Sequence, residues 1–215
     1  MKTRHFADVL QFWFPDHIDR DQATLVRQWQ WWFQGGGNAE IIEQFSPLLS
    51  QAIQGELDAW ADNPRSRLAL ILVLDQFSRV IYRGMAQAFA QDPKACRLVL
   101  EGLEMGHYAA LKTLWEKTFF LLPLGHSEDL ENLELVVKLT AELLPEAPQE
   151  HRELLKFSAE QACRHRDIIA QFGRHPHRNT VLGRASTPEE LAYLTCGELV
   201  PGRPLPPHLM QFLFK

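Results

Sequence analysis

The chain has 215 residues, a net charge of −5 and an isoelectric point near 6.0. Apolar residues make up 46% and charged residues 23%, which is typical of a globular protein and excludes collagen and long disordered regions. A mildly acidic chain is a poor general binder of nucleic acid or of anionic membranes, because phosphates are bound by clustered Lys and Arg. We therefore expect no nucleic acid and no membrane as partners.

Helical spacing of apolar residues and capping signals predict an all-α chain of about nine helices with short connections. Asn63-Pro64 and Asp92-Pro93 are typical helix starts, Thr187-Pro-Glu-Glu is a capping box, and Pro123 is expected to follow a helix end. The predicted helices cover residues 6–14, 21–33, 38–54, 64–83, 92–106, 109–121, 127–145, 148–172 and 187–195, with Ser127 capping the seventh and a bend at Pro47. Successive helices that are joined by short connections favour an antiparallel helix array.

The C-terminal end differs from the rest of the chain. We expect one helical domain over residues 1–200 and a Pro-rich arm over residues 201–215, since four of the 13 prolines lie between 201 and 207. Leu209, Met210, Phe212, Leu213 and Phe214 follow them. The arm either docks on its own chain or exchanges with a second copy, which would give a homo-oligomer.

The apolar runs and the cysteines predict a location in the cytoplasm. The longest apolar run, residues 68–74, is far shorter than the roughly 20 residues that cross a bilayer, and no signal peptide is recognisable. Cys96, Cys163 and Cys196 form no CxxC pair, which favours packed thiols in a reducing compartment.

The most informative stretch of the sequence is a predicted buried helix whose last turns carry polar side chains. Seven apolar residues at positions 68–74 surround a helix completely, which predicts burial on all sides. Asp75, Gln76, Arg79, Tyr82 and Arg83 then share one face, with Asp75 and Arg79 spaced for an ion pair. Buried charges cost several kcal/mol unless they are paired. This face is therefore either a structural ion-pair network or the floor of a polar cavity.

Two later segments carry opposite charges. Residues 126–146 hold six acidic residues and one Lys, whereas residues 164–184 hold five Arg, three His and one Asp. Arg side chains beside a helix start at Thr187 are typical of an anion site. Alternatively, these Arg residues cap helix ends and pair with the acidic segment.

The candidates for catalysis are His126 and His177 as acid or base, with Glu128 or Asp75 as the group that orients them. No GxSxG, HExxH or Cys/His zinc spacing is present, so we predict no metal site and leave the cofactor open. His165 borders an apolar helix face and is interpreted as a hydrogen-bonded core histidine.

Three motifs resemble signatures of the bacterial domain-of-unknown-function 924 family: LDQFSR at 74–79, LPLGHSED at 122–129 and FGRHPHRN at 172–179. The resemblance covers about residues 6–194 and implies a helical, tetratricopeptide-like superhelix with no established reaction. The family usually has Pro, Asn, Glu and Phe where this chain has Ser78, Val80, Gly125 and His175. A pocket built by these motifs would therefore differ in its ligand or be less active.

The function favoured by these observations is a binding module with a polar cavity for a small anionic molecule or an acidic peptide group. The predicted ligand-binding residues are Asp75, Gln76, Arg79, Arg83, His126, Glu128, Arg174, His177, Arg178 and Arg184. Arg79, Arg178 and Arg184 would hold the anion, and Asp75 and Glu128 would orient the arginines. The alternatives are a hydrolase-like enzyme, with or without a metal, in the same cavity, and a protein-binding scaffold with a purely structural polar network.

Overall fold

The computed structural model describes residues 4–16, 18, 21–196 and 204–211. These residues form helices and turns without any strand among them, which confirms the predicted all-α fold class. The helices are α1 (Phe6–Trp13), α2 (Gln22–Phe33), α3 (Asn38–Gln54), α4 (Pro64–Leu72), α5 (Ser78–Ile81), α6 (Asp92–Glu104), α7 (Leu114–His126), α8 (Leu130–Leu143), α9 (Gln149–Phe172), α10 (Pro188–Thr195) and α11 (Pro207–Met210). A tetratricopeptide-like superhelix stays a prediction.

The chain divides into two compact units. Residues 1–17 and 37–124 form the first unit, and residues 18–36 and 125–215 form the second. The first unit therefore holds α1, α3–α6 and most of α7, while the second holds α2 and α8–α11. The single domain over residues 1–200 stays a prediction.

The core of the first unit is built around α4. Every side chain from residue 68 to residue 74 is at most 1% exposed, as the all-round apolar pattern predicts. Trp13 packs edge-on against Phe119, with ring centroids 5.4 Å apart, and Phe45 packs against Phe77 at 4.9 Å. Each buried Leu, Ile or Phe contributes about 1.5–3 kcal/mol of transfer free energy, so this core holds the polar turn that follows α4 in place.

A π turn interrupts the helix that was predicted as regular over residues 64–83. Residues Val73–Phe77 form the π turn between α4 and α5, and the helical run ends at Ile81 before Gly84, whose φ is +79°. A π turn holds one more residue than the α turn it replaces, and apolar spacing does not reveal it in a helix that is apolar all round. Asp75 and Gln76 lie within this turn.

The prediction for α7 was wrong at both ends. The helix begins at Leu114 and runs through Pro123 to His126 rather than covering 109–121. Thr113 and Glu116 form its N-terminal cap: the Glu116 N–H donates to Thr113 Oγ1 (3.1 Å), and the Glu116 carboxylate accepts from the Lys112 and Thr113 N–H groups (3.1 and 3.3 Å). Pro123 removes one backbone hydrogen bond, a cost outweighed by the burial of apolar side chains on this helix.

In the second unit, Asp129 and not Ser127 caps α8. The Asp129 carboxylate accepts hydrogen bonds from the N–H groups of Glu131 (2.9 Å) and Asn132 (3.4 Å). The other predicted boundaries hold: α9 ends at Gly173, whose φ is +66°, and α10 begins with the Thr187–Glu190 capping box. These two boundaries position the loop that carries the candidate site.

The described part of the C-terminal arm docks on its own chain. Leu205 and Leu209 are 4% and 1% exposed, and Gln30 Nε2 donates to the Met210 sulfur at 3.4 Å. Residues 212–214 of the predicted apolar arm lie outside the described residues, and an exchange of arms between two copies stays a prediction. Throughout the described ranges, no helix combines the length and the apolar character needed to cross a bilayer.

Candidate functional site

The polar turn after α4 is an ion-pair network. Arg79 Nη1 lies 2.9 Å from Asp75 Oδ1, which confirms the predicted pair, and the same guanidinium forms two 2.9 Å hydrogen bonds with Asp92. Burial alone would lower the pKa of Arg79, but the charges of Asp75 and Asp92 outweigh it and raise the pKa. Gln76 donates to the Asp75 carboxylate, whereas Arg83 is exposed beyond the end of α5. This geometry favours a structural network in the first unit.

Four histidines and one arginine of the second unit form what we call the histidine–arginine cluster: His126, His165, His175, His177 and Arg178. Neighbouring ring centroids are 6.5 Å apart for His126–His165, 5.6 Å for His165–His175 and 5.3 Å for His175–His177. His126 ends α7, His165 lies in the second half of α9, and His175 directly precedes the 3₁₀ turn Pro176–Arg178, which contains His177. His126 of the second signature and the residues of the third signature therefore lie in the same unit.

A bidentate ion pair between Glu128 and Arg184, which we call the Glu128–Arg184 fork, contacts the backbone of this cluster at His175. The two side chains form hydrogen bonds of 2.6 and 2.9 Å, and Glu128 Oε1 also accepts from the His175 N–H at 2.8 Å. Arg184 Nη2 donates to the His175 carbonyl at 3.1 Å. Burial would raise the pKa of Glu128, but the Arg184 and His175 hydrogen bonds outweigh it and lower the pKa. Glu128 is therefore ionised at neutral pH and is a poor general acid.

The two inner imidazoles of the cluster are neutral; His175 is buried and His165 is half-buried. His175 is fully buried, and neither of its ring nitrogens has a hydrogen-bond partner among the described residues. His165 is hydrogen-bonded to the backbone of Gly125, as expected for a core histidine, while its Nδ1 has no such partner in the same ranges. Burial, neighbouring imidazoles and Arg178 lower the pKa of His165 to about 3, and burial followed by the Arg178 charge lowers the pKa of His175.

Arg178 is the charged member of the cluster. It is 6% exposed, and its Nη2 donates to the His126 carbonyl at 2.8 Å. Its charge is among the causes that lower the pKa values of His165 and His175. Arg178 therefore places a buried cation beside these imidazoles.

Arg174 lies on a separate groove beside α10. Its guanidinium forms a fork with Glu190, with Nε–Oε1 and Nη2–Oε2 distances of 2.6 and 2.8 Å. The Arg174 hydrogen bonds and the Thr187 N–H outweigh the effect of burial and lower the pKa of Glu190 to about 2. The groove has a volume of about 460 Å³, and no residue of the histidine–arginine cluster lines it.

The predicted ligand-binding residues thus fall into three places. Asp75, Gln76, Arg79 and Arg83 belong to the first unit. The others belong to the second unit, where Arg174 lines the groove and the rest belong to the cluster or to the Glu128–Arg184 pair beside it. A single cavity lined by all of them stays a prediction. Within the described ranges, no three His, Cys, Asp or Glu side chains are placed to hold a metal ion.

Sequence reasoning missed four residues that the structure brings to these places. Asp92 was interpreted only as a helix start, Glu190 only as a cap and His165 mainly as a core histidine, while Asn179 was given no role in the site. Asn179 Nδ2 donates to Glu190 at 3.0 Å. The charge of Asp92 and Glu190 was visible in the sequence, but no local spacing identifies Arg79 and Arg174 as their partners.

Comparison with known proteins identifies the family. A family described as "Bacterial protein of unknown function (DUF924)" matches residues 9–198. A solved structure of a protein of unknown function from Agrobacterium tumefaciens is 33% identical, with 89% of this chain and 97% of that chain covered and a TM-score of 0.67. No curated protein matches the chain. The chain therefore belongs to the DUF924 family of bacterial proteins of unknown function.

Proposed function

We propose that the chain is a cytoplasmic binding module for a small anionic molecule or an acidic peptide group, held at the histidine–arginine cluster. The observation that carries the proposal is the grouping of the His165, His175 and His177 rings with the buried guanidinium of Arg178 in one unit. The neutral His175 ring can donate one N–H, since neither of its nitrogens has a partner among the described residues, and the buried Arg178 guanidinium donates charge-assisted hydrogen bonds. Such a set of donors stabilises an anion and destabilises a cation.

Arg184 and Glu128 have supporting roles in this proposal. The fork of Glu128 holds the Arg184 guanidinium in a fixed orientation, so less side-chain entropy is lost when an anion binds. Removal of one desolvated Arg contact should weaken binding by about 1.5–3 kcal/mol.

A thermal-shift screen of the full chain tests this function. The panel contains inorganic phosphate, phosphorylated metabolites, carboxylates and nucleotides. A ligand at about 100 times its Kd stabilises the protein by about 2.7 kcal/mol, which for this chain length raises Tm by about 5–11 °C. We expect such a shift with an anion, and we expect Arg178→Ala to abolish it.

Arg166→Ala is the matched control, because Arg166 lies on α9 and is paired with its neighbour Asp167 at 2.7 Å. This variant should keep the shift. Urea unfolding and circular dichroism must show that Arg178→Ala remains folded. A panel without any shift, or a shift that Arg178→Ala retains, would overturn the proposal.

A further inference from the structure

The groove beside α10 has the size of a small-molecule site and chemistry of its own. Its volume of about 460 Å³ lies in the range of ligand pockets, about 300–1,000 Å³. It is lined by Gln171, Phe172, Arg174, Thr187, Glu189 and Glu190, all of the second unit. The end of α9 and the start of α10 therefore form both of its walls.

One side of the groove offers hydrogen-bond donors. Arg174 uses Nε and Nη2 for Glu190 and Nη2 also for the Ala185 carbonyl at 2.9 Å, so its Nη1 keeps two N–H groups for a ligand. The Arg174 side chain is 29% exposed. Thr187 Oγ1 accepts the Glu190 N–H at 3.2 Å, which leaves the hydroxyl hydrogen free to donate. These two donors match a carboxylate.

The lining of the groove also carries one negative charge. The Glu190 carboxylate accepts from Arg174 Nε and Nη2, Asn179 Nδ2 and the Thr187 N–H, so its hydrogen-bonding capacity is filled within the protein. Arg174 and Glu190 balance each other, and the exposed Glu189 remains. A simple anion would meet this net negative charge, and a simple cation would leave the Arg174 and Thr187 donors unused.

A zwitterion would use both the hydrogen-bond donors and the negative charge of the groove. Its carboxylate accepts from Arg174 and Thr187, and its ammonium group pairs with Glu189. The half-buried Phe172, whose ring packs against Tyr193 with centroids 5.4 Å apart, supplies an apolar wall. We propose that this groove binds a free α-amino acid with an apolar side chain, independently of the histidine–arginine cluster.

Calorimetric titration of the full chain tests the proposal with matched probes. L-phenylalanine and L-leucine carry both charges, phenethylamine lacks the carboxylate, and 3-phenylpropionate lacks the ammonium group. We expect the two amino acids to bind at millimolar concentration and each single-charge analogue to bind at least tenfold more weakly. Equal binding of either analogue, or no binding of the amino acids, would overturn the proposal.

Glu189→Gln is the informative variant, since Glu189 is exposed and its loss should leave the fold intact. It should weaken amino-acid binding at least tenfold without changing the Tm of the free protein. Glu150→Gln, an exposed glutamate in the first turn of α9, is the matched control and should bind as the wild type does. Unchanged binding in Glu189→Gln would contradict the assignment. Arg178→Ala should leave this binding unaltered, so failure here is distinguishable from failure of the anion site.

Discussion

Arg79 and Asp92 are joined by two parallel hydrogen bonds of 2.9 Å, although 13 positions separate them in the chain. The same guanidinium contacts the Asp75 carboxylate, whose side chain is 1% exposed. A bidentate ion pair of this kind fixes the relative orientation of the two side chains in addition to pairing their charges. Arg79 therefore links the π turn to the first turn of α6.

Arg79→Ala should destabilise the protein by about 3–5 kcal/mol, because two buried carboxylates would lose this guanidinium. Urea unfolding measures the loss. Arg97→Ala is the control: Arg97 is 66% exposed and lies 3.8 Å from Glu101, so its loss should cost less than about 1 kcal/mol. A loss below about 1 kcal/mol in Arg79→Ala would show that the network is not structural.

His175→Phe should stabilise the protein at neutral pH. Both ring nitrogens of His175 are buried without a partner in the described part of the chain, and an unpaired buried polar group costs about 1–3 kcal/mol. Phenylalanine keeps an aromatic ring against His165 and His177 and removes both polar atoms. Urea unfolding should show a gain of about 1 kcal/mol or more. Destabilisation would mean that a water or a ligand satisfies the imidazole.

The stability of the protein should fall as the pH drops below about 6.5. The folded-state pKa of His165 is about 3, below its ordinary value of 6.5, so the unfolded chain binds a proton first. The contribution of each such imidazole to the free energy of unfolding is therefore fully present above pH 6.5. It decreases towards pH 3 by at most about 1.4 kcal/mol per pH unit. His175 acts in the same direction. Glu190, with a pKa of about 2 instead of 4.5, adds a further loss below pH 4.5.

Unfolding free energies between about pH 7 and about pH 4 measure this slope. His175→Phe should reduce it, because that variant removes one of the two imidazoles. A wild-type slope of zero between about pH 4.5 and about pH 6.5 would contradict the neutral state of both rings.

Two helical glycines should respond in opposite directions to a methyl group. A Cβ at Gly102 would lie 2.6 Å from Phe120 Cζ and 2.8 Å from Arg67 Cδ, so Gly102→Ala should cost about 1–3 kcal/mol through overpacking. A Cβ at Gly125 would meet only Val136 Cγ1, at 3.9 Å. Gly125→Ala should therefore gain up to about 1 kcal/mol of helix propensity. Thermal unfolding of the two variants measures this difference in stability. A lower Tm in both variants than in the wild type would contradict the prediction.

Local signals in the sequence predicted most helix boundaries, because caps act over three or four residues. The Thr187–Glu190 box and Gly173 were correctly placed for this reason. The start of α7 could also have been predicted, since Thr113 and Glu116 have the capping-box spacing. The end of α7 was predicted too early, because Pro123 was interpreted as a helix terminator. The π turn could not be predicted, because tertiary packing and not a local motif selects it.

The candidate site was predictable only where its partners are close in the chain. The Asp75–Arg79 pair follows from a spacing of four residues. The Glu128–Arg184 fork joins residues 56 positions apart, and the sequence offered only complementary charge for it. The grouping of four imidazoles around Arg178 depends on how α9 packs beside the end of α7, which one sequence does not reveal.

The π turn also bears on the history of this chain. One residue more than an α turn rotates everything after it by about 100° around the helix axis. Loss of the single codon for Val73, Leu74 or Phe77 would restore a regular helix and turn Arg79 away from Asp92. One in-frame insertion is thus enough to create this contact, and one deletion is enough to erase it, with no change to any of the charged residues.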